Sequence, residues 1–491
     1  MKSSGWKNAA FVALAGICLT ASVRDIVGRL ADPSVPEHLS AWREAVRHVP
    51  DDVCGVPCAD PADPDPVMRA RLIALAWEAA PKRIVPLSED DTRFATVITS
   101  SFLGADERTR LQAANYSPAY RNEFATVWTR ESPAVERVAA ARHVSVGEEL
   151  CGLLAALCVM TGLWMIYRRW MGAWPKAGTL ALAAAVFAIL SVVTLQHGLL
   201  APNGLGVQAG KAKLFWMCGG APDGFWTDPA FAVCQPGYPP GLTLLALLSF
   251  AVSGGCGEHL VQLICPFAVA LVFLEIASLI RNWRGTVIAF LFAISPLAVL
   301  LASGFYAEPF AALCLVCGIR SVRCGHIRGG WAIAGCAGLF RPEGLVLVVA
   351  LGLAMRWSGS RTTVAWRDLP IAAAPSLAWQ VFCLLSGAHV YGFHAAALPD
   401  FSRVLAAGAA LGSCLLRFWL IGGVLLFSLA FWRRSKVAVV GVSAACGAGL
   451  LMAGFNVSEH FQWIVGNVIP RFVWMSLAAP LAWAFGGRRA K

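Results

Sequence analysis

Charge is the scarce commodity in this sequence. Only 14% of its 491 residues are Asp, Glu, Lys or Arg, while 57% are hydrophobic and the mean hydropathy is +0.63. Soluble domains carry about a quarter charged residues. A soluble enzyme and a disordered chain are therefore excluded, and the composition points to a polytopic α-helical membrane protein. Acids are scarcer still outside one stretch: 20 of the 29 Asp and Glu lie between Arg24 and Glu149, beside 15 of the 40 Lys and Arg. That stretch is about −5 and the remainder about +16, which sums to the net +11. The remaining Lys and Arg stand in short clusters at the ends of apolar runs, which is the positive-inside pattern and not a nucleic-acid footprint.

Paired metal-ligand spacing is also missing. Cys54 and Cys58 lie in the polar stretch with no second CxxC or paired His after them, which disfavours a zinc site. If both regions face an oxidising compartment, Cys54 with Cys58 and Cys218 with Cys234 are the two candidate disulfides. Most other cysteines sit in apolar runs as small hydrophobes.

What is present divides the chain into four parts. Residues 1–23 read as an uncleaved membrane anchor, because Leu19-Thr20-Ala21 is a poor cleavage signature. Residues 24–148 read as an extracytoplasmic α/β insert of roughly 100 residues, large enough to bury its own core. Within it Ala41–Val49 and Met68–Ala80 have helical periodicity, and Arg83–Leu87, Phe94–Thr99 and Phe124–Trp128 have strand character. Residues 149–177 add one membrane helix and a basic loop. Residues 178–491 form the main membrane domain, with a polar outer loop at 199–239.

In all, about 11–13 membrane segments are expected, the later ones near 149–167, 178–198, 240–254, 260–280, 285–303, 306–319, 330–340, 344–355, 369–388, 412–431, 437–454 and 470–486. The basic clusters Arg168/Arg169/Lys176, Arg281/Arg284, Arg320/Arg323/Arg328, Arg356/Arg361/Arg367, Arg433/Arg434/Lys436 and Arg488/Arg489/Lys491 belong on the cytoplasmic side. Two full spans between Gly237 and Arg281 would invert every later loop, so 240–254 is expected to be a partial or interfacial helix. Glu275, inside a span, is expected to pair with a neighbouring helix or to serve function.

Polar residues collect at a few places. The outer loop holds Lys211-Ala-Lys213, Asp223, Asp228 and Tyr238-Pro239-Pro240, the prolines forming a rigid entry to the next helix. Tyr306-Ala-Glu308-Pro309 and Arg341-Pro342-Glu343-Gly344 lie at turns between apolar stretches that the topology puts at the outer rim, and Arg471 follows Pro470 at the outer end of the last one. Charge at such depth is costly and needs a partner or a function. For Arg341 the alternatives are a salt bridge to Glu308 or Glu343 and a clamp on an anionic head group. Asp223 and Asp228 read equally well as turn residues.

Taken in order, Tyr-Pro-Pro after a polar outer loop, Tyr-x-Glu, Arg-Pro-Glu-Gly and Pro-Arg-Phe resemble the GT-C glycosyltransferases over about residues 178–486. The nearest likeness is to the bacterial branch related to protein mannosyltransferases and aminoarabinose transferases. The resemblance implies an enzyme of the bacterial inner membrane that moves a sugar from a polyprenyl-phosphate donor to a glycan, lipid or protein acceptor on the outer face. It implies a loop acid, Asp223 or Asp228, as general base or as holder of a divalent cation. Lys211, Lys213, Arg341 and Arg471 would bind the lipid phosphate. Tyr238, Tyr306, Glu308 and Glu343 would line the pocket, and membrane lipid would surround it. One departure stands out: the stretch Asn203 to Gly210, where such enzymes usually carry an acid, has none. A transporter or flippase of a lipid-linked or anionic substrate, or an inactive scaffold of the same fold, are the alternatives. A transporter usually has broken helix pairs in both halves, and the sequence offers one, at 330–355.

Overall fold

The computed structural model describes residues 53–57, 83–87, 96–100, 117–121 and 125–129, then 144–172, 174–197, 203–227, 234–257, 259–280, 283–357, 368–388, 401–417 and 470–478, with isolated positions elsewhere. The polar stretch contributes a five-stranded mixed sheet of order β2-β1-β3-β5-β4. Its strands are β1 Val53–Pro57, β2 Arg83–Leu87, β3 Thr96–Ser100, β4 Ser117–Arg121 and β5 Ala125–Thr129. β1 runs parallel to β2 and β3, whereas β5 is antiparallel to β3 and β4. The expected helices Ala41–Val49 and Met68–Ala80 lie outside the described residues. Two of the five strands, β1 and β4, escape the sequence reading because Gly55 and the Pro residues at 57 and 118 dilute their β-branched character.

The helices that follow are α1 Val146–Met171, α2 Ala177–His197, α3 Lys211–Met217 after a π-helical turn Asn203–Gly210, α4 Gly241–Ser253, α5 Ile264–Leu279, α6 Trp283–Ala293 and α7 Pro296–Ser303. Next come α8 Glu308–Arg323, α9 Ile327–Gly335, a 3-10 turn Cys336–Leu339, α10 Glu343–Trp357, α11 Leu369–Ser386 and α12 Phe401–Arg417. A further helix, α13, covers 470–478. Among the described residues four helices are long and apolar enough to cross a membrane, or five if the bent pair α6–α7 is one span. The architecture is that of a helical membrane protein. Of the expected segment 412–431 only 412–417 is described, as the end of α12, which starts earlier at Phe401; 437–454 lies outside the described residues.

Local chemistry sets several boundaries. Ser145 and Glu148 close a capping box at the start of α1, and Gly172 ends that helix at φ 63°. Ser295 caps α7, whose first residue is Pro296.

Contacts fix the helix directions. The Glu149 carboxylate, in the first turn of α1, accepts from the main-chain N–H groups of His259 and Leu260 at 3.2 and 3.0 Å, just before α5. Near the other end, Arg168 of α1 meets Glu275 of α5 at 2.7 Å, and Glu275 meets Arg320 of α8 at 3.2 Å. Helices α1, α5 and α8 are therefore parallel. One end of the bundle is where the sheet-bearing stretch enters α1. The other, basic, end gathers Arg168, Arg169, Arg320, Arg323 and Arg328.

Helix α2 returns from the basic end, and Phe187 midway along it meets Phe267 near the start of α5 at 5.7 Å between ring centroids. The chain thus leaves α2 and enters α5 at the same end, so the stretch 203–253 makes no net crossing. Helix α4 rises only about 20 Å over its 13 residues, and the Ser249 carbonyl near its end lies against Gly152 in α1. Likewise α9 leaves the basic end and α10 comes back toward it, with Arg341 to Glu343 at the tip. Gly241 at the start of α4 abuts Phe340 beside that tip. Two re-entrant hairpins, one from each end, meet inside the bundle. Only the hairpin from the basic end is legible as a broken pair in the sequence.

Candidate functional site

Where the two hairpins meet, residues from four separate segments form one ionic cluster. Glu308 opens α8 and is fully buried; its Oε1 lies 3.4 Å from a guanidinium nitrogen of Arg341 and 3.4 Å from one of Arg471. Arg341 also reaches Glu343 Oε1 at 2.8 Å and donates to the Tyr238 hydroxyl. The Arg341 guanidinium lies 5.7 Å from the Tyr238 ring centre, and that of Arg471 lies 4.5 Å from the Tyr306 ring centre. The main-chain carbonyl of Tyr306 accepts from the Cys265 thiol at 3.4 Å, which ties the cluster to α5. Three helices start around this point, α4 at Gly241, α8 at Glu308 and α10 at Glu343, and Arg471 stands in the helical stretch described from residue 470 on. Their N-terminal dipoles add partial positive charge to two arginines.

The local backbone is strained here. Among the described residues, the non-glycine positions with left-handed φ are Gln235 at 45° and Phe305 at 51°, and both flank the cluster. Such strain persists only where its surroundings enforce it, and it concentrates at functional sites. The two carboxylates also retain unused capacity, since among the described residues neither Oε2 of Glu308 nor Oε2 of Glu343 has a hydrogen-bond partner.

Sequence reasoning identified Tyr238, Tyr306, Glu308, Arg341, Glu343 and Arg471 separately, and the fold brings all six together. For Arg341 the salt-bridge alternative is realised, to both Glu308 and Glu343. Depth differs from the expectation of an outer rim: Glu308 lies about 18 Å along α8 from Arg320, whereas Glu149 lies about 28 Å along α1 from Arg168. The cluster is thus about 10 Å inside the bundle.

Other candidates fall elsewhere. Asp223 is exposed in the turn closed by the Phe225 N–H to Pro222 O bond at 3.0 Å, where a Pro-Asp-Gly sequence is at home. Asp228 lies outside the described residues. Lys213 is buried in α3. Lys211 is buried too, but it donates to the carbonyls of Gln235, Pro236 and Tyr238 at 3.0, 3.4 and 3.2 Å, so its three protons serve the loop rather than an incoming phosphate. Burial pulls its pKa down to about 8.

The expected Cys218–Cys234 disulfide is not formed; both are free thiols. Cys218 caps the exposed end of α3, while Cys234 faces inward among Leu214, Phe225 and Phe231, and burial pushes its pKa up to about 11. Of the other pair, Cys54 lies in β1 and Cys58 lies outside the described residues. Among the described residues no group of three His, Cys, Asp or Glu is placed to hold a metal.

A second ionic cluster was only half legible. Glu275 is the partner-seeking acid the sequence suggested, but Arg168 and Arg320 are not loop cations. Both are buried in the last turns of α1 and α8, and Glu275 holds them at 2.7 and 3.2 Å while accepting from Trp164 Nε1 at 2.6 Å. The signal that would have found them is their register, one helical turn inside the chain-end basic residues. Three parallel helices end here, and their C-terminal dipoles offset the surplus positive charge. The arrangement needs no ligand and acts as a clamp. Comparison of the chain with protein-family models, with curated proteins and with solved structures finds no match.

Proposed function

We propose that this chain is a membrane glycosyltransferase of GT-C type that takes a sugar from a polyprenyl-phosphate donor. The reading rests on one observation: two arginines, two carboxylates and two tyrosines from distant segments meet at a point where three helices begin. Nothing in the packing of a simple bundle requires that expense. A phosphate group would compete with Glu308 and Glu343 for Arg341 and Arg471, and the helix N-termini would favour it. As the phosphate docks, a carboxylate is released from its arginine. Glu343, half-buried, is the one within reach of an acceptor hydroxyl. That carboxylate accepts the hydroxyl proton while the oxygen attacks the anomeric carbon. The sugar–phosphate C–O bond breaks with its electron pair going to the lipid phosphate, which the arginines stabilise.

The positive-inside bias puts the basic end in the cytoplasm of a bacterial inner membrane. The sheet-bearing stretch and the 203–253 hairpin then face the opposite compartment, where the sheet is available to an acceptor or partner. Cysteine labelling at positions 60 and 223 from outside, and at 176 from inside, tests this orientation; the reverse pattern inverts it.

The activity is tested in proteoliposomes with a radiolabelled polyprenyl-phosphate sugar and envelope extract as acceptor source. Transfer should occur with the wild type and fall at least 100-fold in Glu343→Gln, with the folded protein retained. No transfer by the wild type under any acceptor condition refutes the reading. One observation favours a second reading, a transporter or flippase of an anionic lipid: opposed re-entrant hairpins meeting at a charged point are a transporter device. In that case the labelled donor changes leaflet with its sugar still attached.

A further inference from the structure

Four consecutive carbonyls near the tip of the outer hairpin point at side-chain donors. Those of Gln235, Pro236 and Tyr238 accept from the Lys211 ammonium at 3.0, 3.4 and 3.2 Å. That of Gly237 accepts from Trp379 Nε1 at 3.0 Å, with the Cys383 thiol at 3.8 Å. Lys211 is almost fully buried. Its counter-groups are main-chain dipoles in place of a carboxylate, and burial alone would expel the charge unless those dipoles were fixed. The segment that fixes them is improbable by itself, because Gln235 has φ 45° and prolines occupy positions 236, 239 and 240. Buried carbonyls converging on one point are the chemistry with which proteins hold dehydrated monovalent cations.

We propose that the carbonyls of Gln235, Pro236 and Tyr238 form a monovalent-cation site whose occupant is the protein's own Lys211 ammonium, and that this tethered cation positions Tyr238 against Arg341. Without the cation, three carbonyls of one short loop face each other in a buried space, and the loop opens to hydrate them. Tyr238 then leaves Arg341, and Cys234, one residue before the cradle, is uncovered. Lys211 is thus a positioning residue. The inference holds for a transferase and a transporter alike, since it concerns how the loop is held.

The test uses purified full-length protein in detergent at pH 7, with maleimide labelling of Cys234 read by mass spectrometry against the exposed Cys218. In the wild type Cys234 should be protected. In Lys211→Ala it should label at least 10-fold faster, and millimolar ammonium or ethylammonium should restore protection. Choline at equal ionic strength has no N–H group and is too large, so it should not. Lys211→Arg should give incomplete protection, because a planar guanidinium cannot turn its donors onto three converging carbonyls. Protection that persists in Lys211→Ala without added amine overturns the proposal, as does equal rescue by choline. Should Lys211→Ala yield no folded protein, amine-reactive labelling of the wild type decides. Lys211 should react at least 10-fold more slowly than the exposed Lys176, and equal rates overturn the proposal.

Discussion

Glu275 offers the sharpest test of how the bundle is held together. Its carboxylate is fully buried, lies 2.7 Å from Arg168 Nε and 3.2 Å from Arg320 Nη1, and accepts from Trp164 Nε1 at 2.6 Å. Removing one member of a buried pair costs about 3–5 kcal/mol, since the remaining charge stays desolvated. Here one carboxylate serves two guanidiniums, and its loss leaves two buried cations that both donate to the Ser278 hydroxyl with no counter-charge from Glu275. At an effective dielectric of about 20, each close pair contributes about 4 kcal/mol of attraction, and the repulsion between the arginines is left uncompensated. Glu275→Ala should therefore lose about 5 kcal/mol, a large share of the roughly 5–15 kcal/mol that holds a folded domain together.

The assay is thermal unfolding in detergent followed by fluorescence-detected size exclusion, with expression level as a second readout. Adding Arg320→Ala to Glu275→Ala should recover part of the loss by removing one stranded charge. The triple replacement Arg168→Met, Glu275→Leu and Arg320→Met should be far milder than Glu275→Ala alone, because well-packed apolar groups can replace a buried ionic triad. A Glu275→Ala variant within about 1 kcal/mol of wild type refutes the reasoning. So does a triple variant worse than the single one.

Two further predictions follow from packing and protonation. A Cβ on Gly335 would stand 2.0 Å from the Ala372 carbonyl oxygen, so Gly335→Ala should force α9 from α11 and cost about 1–3 kcal/mol. Gly162 in α1 has nothing within 4 Å of that position, so Gly162→Ala in the same assay should stabilise by up to about 1 kcal/mol; the opposite order of the two variants would contradict the α9–α11 contact. For Lys211 the folded pKa of about 8 lies below the ordinary lysine value of 10.5. The unfolded chain then binds the extra proton between those values, so this group adds stability as pH rises from about 8 to 10.5. Cys234 acts in the opposite sense, its thiol being held up to about 11 in the folded state. The measurement is therefore the wild-type melting curve minus that of Lys211→Met across this window. A difference that does not rise with pH refutes the assignment.

The sequence by itself determined the class of this protein and which of its charges stand within apolar runs. With so few ionic residues, each one inside an apolar run is conspicuous, which is why Tyr238, Tyr306, Glu308, Arg341, Glu343 and Arg471 could be singled out without contacts. Charge bias also decides helix direction through a one-dimensional rule, so the sequence could argue that 240–254 does not cross fully. Strands β1 and β4 were lost because a short strand's identity lies in its partners. Only tertiary structure decided that the 203–253 hairpin meets the one that enters from the basic end, that Arg341 is already paired, and that Lys211 serves carbonyls instead of phosphate. Each of these depends on which donor lies within about 3 Å of which acceptor. Spacing along a chain cannot supply that distance when partners such as Lys211 and Gln235, or Tyr238 and Arg341, are 24 and 103 residues apart.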